Sequence, residues 1–375
     1  MTQASGPTPI RVGGDRGGLQ QFACAKCGAK LEYIPGTKVL KCPYCAHENE
    51  IPDAVDAEGQ AVTVRELDLL AELDRLSHTA EKVEVTDVEC GACKAVFLPA
   101  PNITATSCPF CGTNLVLTEH QSSLIKPGSV LPFRIAREQA TESYRRWVRS
   151  RWFAPTKLKT RALLDASLRG IYIPAWTYDA RCTTAYTGQR GDAYYVTVGS
   201  GKNRRTERRI RWTSVSGMVR DDFDDVLVLA TCSLPQDKAD NLEPWDLAEL
   251  QPFNKSYLAG FTAEAYSVSL PDGFERAKQI MADAIRSTIR RDIGGDEQRI
   301  SSMHTEYAGL TYKHILLPIW LSAYRFREKV YRFLVNARTG EVQGERPYSW
   351  IKITLAVIAG LILVGGLALL LSHAK

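Results

Sequence analysis

The chain has 375 residues, 45% of them hydrophobic and 24% charged, a balance that predicts a buried core over most of its length. That length is too great for one average domain, so two or three domains are expected. The net charge of +5 is too small to indicate nucleic-acid binding from charge alone.

The first segment, residues 1–21, is rich in glycine, proline, threonine and serine and has no apolar core, so it is predicted to be a disordered arm. Cysteine gives the first specific signal. Eight of the ten cysteines form four Cys-x-x-Cys pairs. The other two, Cys182 and Cys232, are predicted to be small buried apolar residues.

Two zinc ribbons are predicted from these pairs, over residues 22–50 and 87–117. Their metal ligands are Cys24, Cys27, Cys42 and Cys45 in the first ribbon, and Cys90, Cys93, Cys108 and Cys111 in the second. Fourteen residues separate the two pairs in each ribbon, enough for a hairpin that brings two tight turns together. Four thiolates then complete a tetrahedron, so each site would hold one structural Zn²⁺ with no open position for catalysis. Iron is an alternative occupant, because it accepts the same ligands.

The segment between the ribbons, residues 51–86, is predicted to be a linker helix. Apolar residues recur at helical spacing over 64–83, namely Val64, Leu67, Leu70, Leu73 and Leu76. The opposite face is charged. Such a helix would pack on the ribbons or on a partner.

Residues 127–348 are predicted to form an α+β body. Helical periodicity covers 137–153 and 272–293, the second with Asp272 as its cap. Strands are predicted over 170–180, 194–198, 210–219, 315–324, 330–336 and 341–344.

The body also shows a weak internal repeat, with halves at 131–235 and 250–345. Each half has a helix followed by a strand that carries Pro-x-Trp. This pattern indicates a duplicated α+β unit. The two tryptophans, Trp176 and Trp320, are predicted to be core residues.

A transmembrane helix is predicted over residues 353–371, which contain no charge and only Thr354 as a polar residue. At about 1.5 Å per residue this segment would span roughly 30 Å, the thickness of a bilayer core. Arg346 and Lys352 precede it, and metal-binding thiolates require a reducing compartment. These features predict a single-pass inner-membrane protein with its N-terminal body in the cytoplasm.

One basic cluster stands out in the body: Arg204, Arg205, Arg208, Arg209 and Arg211. A solvated strand or loop is the simpler interpretation, and phosphate binding is the alternative. The sequence has no phosphate-binding loop, dinucleotide fingerprint, zinc-protease motif or nucleophile elbow. No catalytic residue is therefore predicted, and the protein is expected not to be an enzyme.

Several segments together resemble a bacterial family of membrane-anchored, TFIIB-type double zinc-ribbon proteins, often labelled PriA-like primosomal or helicase proteins. The segments are CPFCG from Cys108, LPFR from Leu131, WFAP from Trp152, GIYIPAWTYD from Gly170 and LLPIW from Leu316. The helicase label conflicts with the lack of a phosphate-binding loop. The resemblance implies a metal role for the eight paired cysteines and a partner among PspA-like or flotillin-like (SPFH) membrane-stress proteins.

The function expected from the sequence is that of a non-enzymatic adaptor, which tethers a protein partner to the cytoplasmic face of the membrane. The lipid bilayer is the second expected partner. The alternative is a nucleic-acid-binding protein, because zinc ribbons serve in transcription and replication. An enzyme with its site in the body is a third hypothesis.

Overall fold

The architecture is that of a computed structural model. It describes residues 23–52, 62–78, 84–90, 95–97, 105–108, 110, 114–116, 120–123, 125–151, 168–199, 204–326, 329–345 and 349–373. The arm predicted at 1–21 lies outside these residues.

The first cysteine module is a three-stranded antiparallel sheet of β1 (Glu32–Tyr33), β2 (Val39–Lys41) and β3 (Glu48–Glu50). Tyr33 pairs with Leu40 in the β1–β2 hairpin, and both side chains are buried. The hairpin predicted between the two cysteine pairs is therefore present.

The linker helix begins five residues later than predicted, and its predicted end at residue 83 lies outside the described residues. Strand β4 (Leu67–Asp68) pairs with a later strand, and helix α1 (Leu69–His78) follows it at once. The Asp68 carboxylate accepts a hydrogen bond from the backbone N–H of Ala71 at 2.9 Å, which fixes the start of the helix. Leu69 and Leu73 pack on the core, whereas Leu67, Leu70 and Leu76 are exposed, so only part of the predicted apolar face is used.

The second cysteine module consists of short strands. They are β5 (Glu84–Glu89), β6 (Val96–Phe97), β7 (Ala105–Ser107), β8 (Asn114–Val116) and β9 (His120–Ser123). Strand β5 pairs with both β6 and β9, and β7 pairs with β8. All of these pairings are antiparallel.

The body opens with strand β10 (Ser129–Val130) and helix α2 (Arg137–Ser150). The helix buries one stripe of residues at four-residue spacing, Ala140, Tyr144 and Val148. Its start agrees with the prediction, but it ends at Ser150, three residues before the predicted end at residue 153.

Two very long strands follow as an antiparallel hairpin, β11 (Arg169–Val198) and β12 (Arg205–Leu229). The separate strands predicted at 170–180, 194–198 and 210–219 are parts of these two. A bulge between Tyr178 and Ala180 bends the pair without ending it. The sequence between the predicted strands is polar, so the strands were predicted as separate. An antiparallel hairpin with one face exposed to solvent does not require a continuous run of apolar residues.

A connecting segment leads to the longest buried helix. It contains α3 (Gln236–Ala239), β13 (Gln251–Pro252), β14 (Thr262–Ala263) and three 3₁₀ turns at Asp240–Leu242, Leu247–Glu249 and Lys255–Leu258. Helix α4 (Leu270–Ile293) begins two residues before the prediction. Its cap is Ser269, whose hydroxyl oxygen accepts from the Asp272 N–H at 3.3 Å, so the predicted cap at Asp272 is wrong.

The last strands are β15 (Glu297–Phe326), β16 (Lys329–Asn336) and β17 (Val342–Gly344), before helix α5 (Trp350–His373). The main path of the nine-stranded sheet runs β12-β11-β15-β10-β13, with β4, β14, β16 and β17 attached to it. Tyr172 lies opposite Pro318, and Pro174 lies opposite Leu316. The two Pro-x-Trp segments therefore lie side by side at the centre of the sheet.

The sheet is covered on both faces. Residues that alternate along β11 point to opposite sides, so Tyr172 and Ile173 belong to different cores. Helices α2 and α4 and the first cysteine module cover the face of Trp176 and Trp320. The second cysteine module packs on the opposite face, around Ile173. Both tryptophans are buried, as predicted.

The lone cysteines differ from each other. Cys182 is buried on β11, as predicted. Cys232 is exposed, so its predicted burial is wrong.

The predicted fold class, a duplicated α+β body with a transmembrane helix, is wrong. The protein is mostly β, with 43% of its residues in strands, and its nine-stranded sheet is curled. The β content was underestimated because β11, β12 and β15 continue through polar sequence. Alternation of apolar and polar residues does not identify such stretches as strands.

Within the part of the chain that the structure describes, no helix is both long and apolar enough to cross a membrane. This finding contradicts the transmembrane helix predicted at 353–371. The predicted single-pass inner-membrane location, with a cytoplasmic body, is contradicted by the same finding.

Candidate metal centre

Two matching turns flank the β1–β2 hairpin. In the first, the N–H of Cys24 donates to the Ala29 carbonyl at 2.7 Å, and the N–H of Gly28 donates to the Cys24 carbonyl at 2.8 Å. In the second, Cys42 donates to the His47 carbonyl and Ala46 donates to the Cys42 carbonyl, both at 3.0 Å.

Each turn ends on a residue in the left-handed region, Gly28 with φ of 74° and Ala46 with φ of 56°. This conformation reverses the chain directly after each Cys-x-x-Cys pair. The two turns are thus built alike, and the hairpin brings them face to face.

The four sulfurs converge. Atoms Sγ of Cys24, Cys27, Cys42 and Cys45 all lie within 4.8 Å of one another. The Sγ–Sγ distance is 3.6 Å between Cys24 and Cys45, and 3.5 Å between Cys27 and Cys42. A tetrahedron with metal–sulfur bonds of about 2.3 Å has edges of about 3.8 Å. The cluster therefore could hold one metal ion, and the sulfurs are too far apart for disulfides, whose bond is about 2.05 Å.

The backbone favours ionised sulfur at this site. The N–H of Cys45 points at the Cys42 sulfur at 3.5 Å, and this hydrogen bond lowers the pKa of Cys42 to about 7. A thiolate is the form that binds a metal. Cys24 and Cys42 are buried, whereas Cys27 is exposed.

The first cysteine module shares its hydrophobic core with the body. Leu31, Tyr33 and Leu40 belong to the same buried cluster as Phe133, Tyr172 and Trp320. The N–H of Tyr33 donates to the Ala259 carbonyl at 3.0 Å, and that of Gly36 donates to the Phe133 carbonyl at 2.8 Å. The module is thus attached by both apolar packing and backbone hydrogen bonds.

The Tyr33 hydroxyl joins the module to the body. It lies 2.9 Å from the Thr37 carbonyl and 3.2 Å from the Phe133 carbonyl. We expect Tyr33→Phe to lower the free energy of unfolding by about 1–2 kcal/mol, because one buried and one partly buried hydrogen bond are lost. Chemical denaturation measures this change. The control is Tyr44→Phe in the same module, whose ring is 82% exposed; an equal loss there would contradict the assignment.

The second cysteine module is described only in part. Cys90 and Cys108 are buried, and the N–H of Cys90 donates to the Ala95 carbonyl at 2.8 Å, the same turn contact as between Cys24 and Ala29. Cys93 and Cys111 lie outside the described residues, so the structure does not bring the second predicted ligand set together.

Contacts with the body position this second module. The Arg332 guanidinium donates through Nε to the Phe110 carbonyl at 3.0 Å, and the Ala265 N–H donates to the Val96 carbonyl at 3.0 Å. Phe110 itself is buried in the core on this face of the sheet.

A second group of possible ligands is acidic. Carboxylate oxygens of Glu66, Asp179 and Asp224 lie within 4.8 Å of one another. The Lys313 side chain, only 7% exposed, reaches Glu66 at 3.2 Å and Asp225 at 2.7 Å. A lysine ammonium thus already pairs with one member of this group, Glu66, and with the neighbouring Asp225. The sequence did not predict this acidic group, because Glu66, Asp179 and Asp224 come from distant segments of the chain.

The arginine cluster lies at the start of β12. Arg208 pairs with Glu297 at 2.9 Å, and Arg205 pairs with Glu207 at 2.8 Å. Arg209 also reaches Glu207, at 3.5 Å. The charge of the cluster is therefore partly neutralised by nearby carboxylates.

Comparison with known proteins gives one distant relative. The chain is similar to the uncharacterised protein YdjG of Bacillus subtilis (strain 168), with 27% identity over 243 residues, which cover 62% of this chain and 67% of the relative. No protein-family model matches the chain. No solved structure matches it.

Proposed function

We propose that this protein is a non-enzymatic zinc-ribbon adaptor, in which a metal-stabilised module and a β body together present a surface to a protein partner. The observation that carries this proposal is the convergence of four cysteine sulfurs in a module that shares its core with the body. A metal there would fix the shape of the body without offering a reaction site.

Zinc is the ion that we assign to Cys24, Cys27, Cys42 and Cys45. Four thiolates saturate a tetrahedral Zn²⁺, which has no redox chemistry, and leave no position for water or substrate. A second Zn²⁺ at Cys90, Cys93, Cys108 and Cys111 is supported by the equal spacing and by the shared turn contact at Cys90. Iron in either site is the alternative, and metal analysis of the purified protein would distinguish it from zinc.

The resemblance makes a PspA-like or flotillin-like protein the first partner to test. The test is a crosslinked pull-down with the full chain from its own cells, compared with the same experiment on Cys42→Ser. We expect one specific partner that the wild type captures and the variant loses, and we expect Cys232→Ser to retain it. Equal capture by all three chains, or no specific partner, would contradict the adaptor proposal.

Nucleic-acid binding is the second candidate, and aromatic residues near the arginines favour it. The Arg299 guanidinium lies 3.9 Å from the centre of the Trp212 ring, Arg211 lies 5.4 Å from that of Tyr194, and Tyr195 is 69% exposed. Such surfaces stack bases and contact phosphates.

This candidate predicts salt-dependent binding of single-stranded RNA or DNA by the full chain, weakened by Arg204→Ala/Arg209→Ala/Arg211→Ala. The matched control is Arg145→Ala/Arg146→Ala/Arg149→Ala on α2. Equal binding by both triple variants would exclude the β12 cluster as the contact.

A further inference from the structure

A cavity of about 620 Å³ opens between the end of β12, the segment that follows it and helix α4. Leu229 on β12 and Ile280 on α4 supply apolar walls. Trp245, Asp240 and Arg276 add polar groups. The volume lies within the range of small-ligand sites, and the polar share of the lining favours a polar occupant.

One wall of the cavity is a sheet edge. Strand β12 ends the main path of the sheet, and among the described strands it pairs only with β11. Its last residues, Leu227, Val228 and Leu229, line the cavity. The outer side of this strand can therefore accept the backbone of another extended segment.

Two buried donors at the cavity have no acceptor among the described residues. They are Nη1 of Arg276 and Nε1 of Trp245. A buried donor without an acceptor destabilises the protein, so both donors would gain from carbonyl oxygens brought by a ligand. A peptide in extended conformation carries such carbonyls at regular spacing.

The charge of the lining is negative. Asp240 and Glu243 are both exposed, and partial desolvation raises the pKa of each carboxyl. Arg276, the one cationic side chain among the described residues of the lining, already attracts Asp240, and Asp283 pairs with Arg286 outside the cavity. The lining therefore keeps a net negative charge, which a ligand with positive side chains would complement.

We propose that this cavity binds an extended, basic segment of a protein partner, which adds to the outer edge of β12 and places a lysine or arginine between Asp240 and Glu243. The carbonyls of the segment accept hydrogen bonds from Arg276 and Trp245. This inference rests on the proposed adaptor function and names the surface that the partner contacts.

The test measures the binding of a blocked, fluorescent peptide of alternating valine and lysine to the full chain by anisotropy. We expect saturable binding that Asp240→Asn/Glu243→Gln weakens by about tenfold or more. Ile280→Arg, at a side chain that is 50% exposed, should weaken binding similarly without disturbing the core. The matched control is Glu249→Gln/Glu275→Gln, which removes the same charge outside the cavity.

Two further peptides separate the contributions. A valine–glutamate peptide should not bind, and a backbone N-methylated valine–lysine peptide should bind much more weakly, because it cannot complete a strand ladder. Equal weakening by the control variant, or undiminished binding of the methylated peptide, would overturn the inference. Absence of any binding, with metal content and partner capture intact, would also overturn it and leave the adaptor proposal standing.

Discussion

Cys42→Ser is expected to remove the metal from the first module and to destabilise the whole chain, because the two share one buried core. The Cys42 sulfur is buried and accepts the Cys45 N–H, so the substitution replaces a positioned sulfur ligand with a serine oxygen. A loss of metal affinity of about a thousandfold corresponds to about 4 kcal/mol of linked folding free energy. Metal analysis and thermal unfolding of the purified chain measure both effects.

The matched control is Cys232→Ser, which changes an exposed cysteine outside the cluster. It should retain the metal and unfold at the wild-type temperature. If Cys42→Ser lost the metal while the body unfolded as in the wild type, the module would be an independent unit and the shared core would carry little energy.

Trp176→Ala is expected to lower the free energy of unfolding by about 3–5 kcal/mol, the range for a large buried side chain replaced by alanine. The indole is fully buried between β11 and α4, contacts the Tyr266 ring at 5.1 Å between centres, and donates to the Val268 carbonyl at 2.9 Å. Its loss would leave both a cavity and a carbonyl without its donor. Chemical denaturation gives the magnitude.

Two further variants divide this effect. Trp176→Phe keeps an aromatic ring and removes the donor, so it should cost about 1–2 kcal/mol. Trp350→Ala, at a side chain that is 80% exposed, should change the stability by less than about 0.5 kcal/mol. A small loss for Trp176→Ala would contradict its place at the centre of the core.

Structural features that depend on residues close together in the sequence could be predicted. The first cysteine cluster was predictable because turns and hairpin spacing act over a few residues, from Cys24 to Cys45. Helix α4 was predictable because Ala277, Met281, Ile285 and Ile289 recur at four-residue spacing and are all buried.

Features that depend on distant pairing were not predictable. Strands β11 and β15 continue through polar sequence because side chains such as Thr184 and Thr305, 2.9 Å apart, meet only once the sheet has formed. The cavity likewise gathers Trp245 and Arg276 from separate segments, and neither lies in a motif. The apolar residues 353–371 were predicted to span a membrane, and the structure contradicts this prediction.

Metal analysis of the full chain with Cys93→Ser/Cys111→Ser tests the central claim most directly, because only the first cluster can then hold a four-thiolate ion. The account predicts one zinc ion per chain and no disulfide among Cys24, Cys27, Cys42 and Cys45. Protein that is folded yet carries no stoichiometric metal, or that has these four cysteines oxidised to disulfides when purified under reducing conditions, would contradict it.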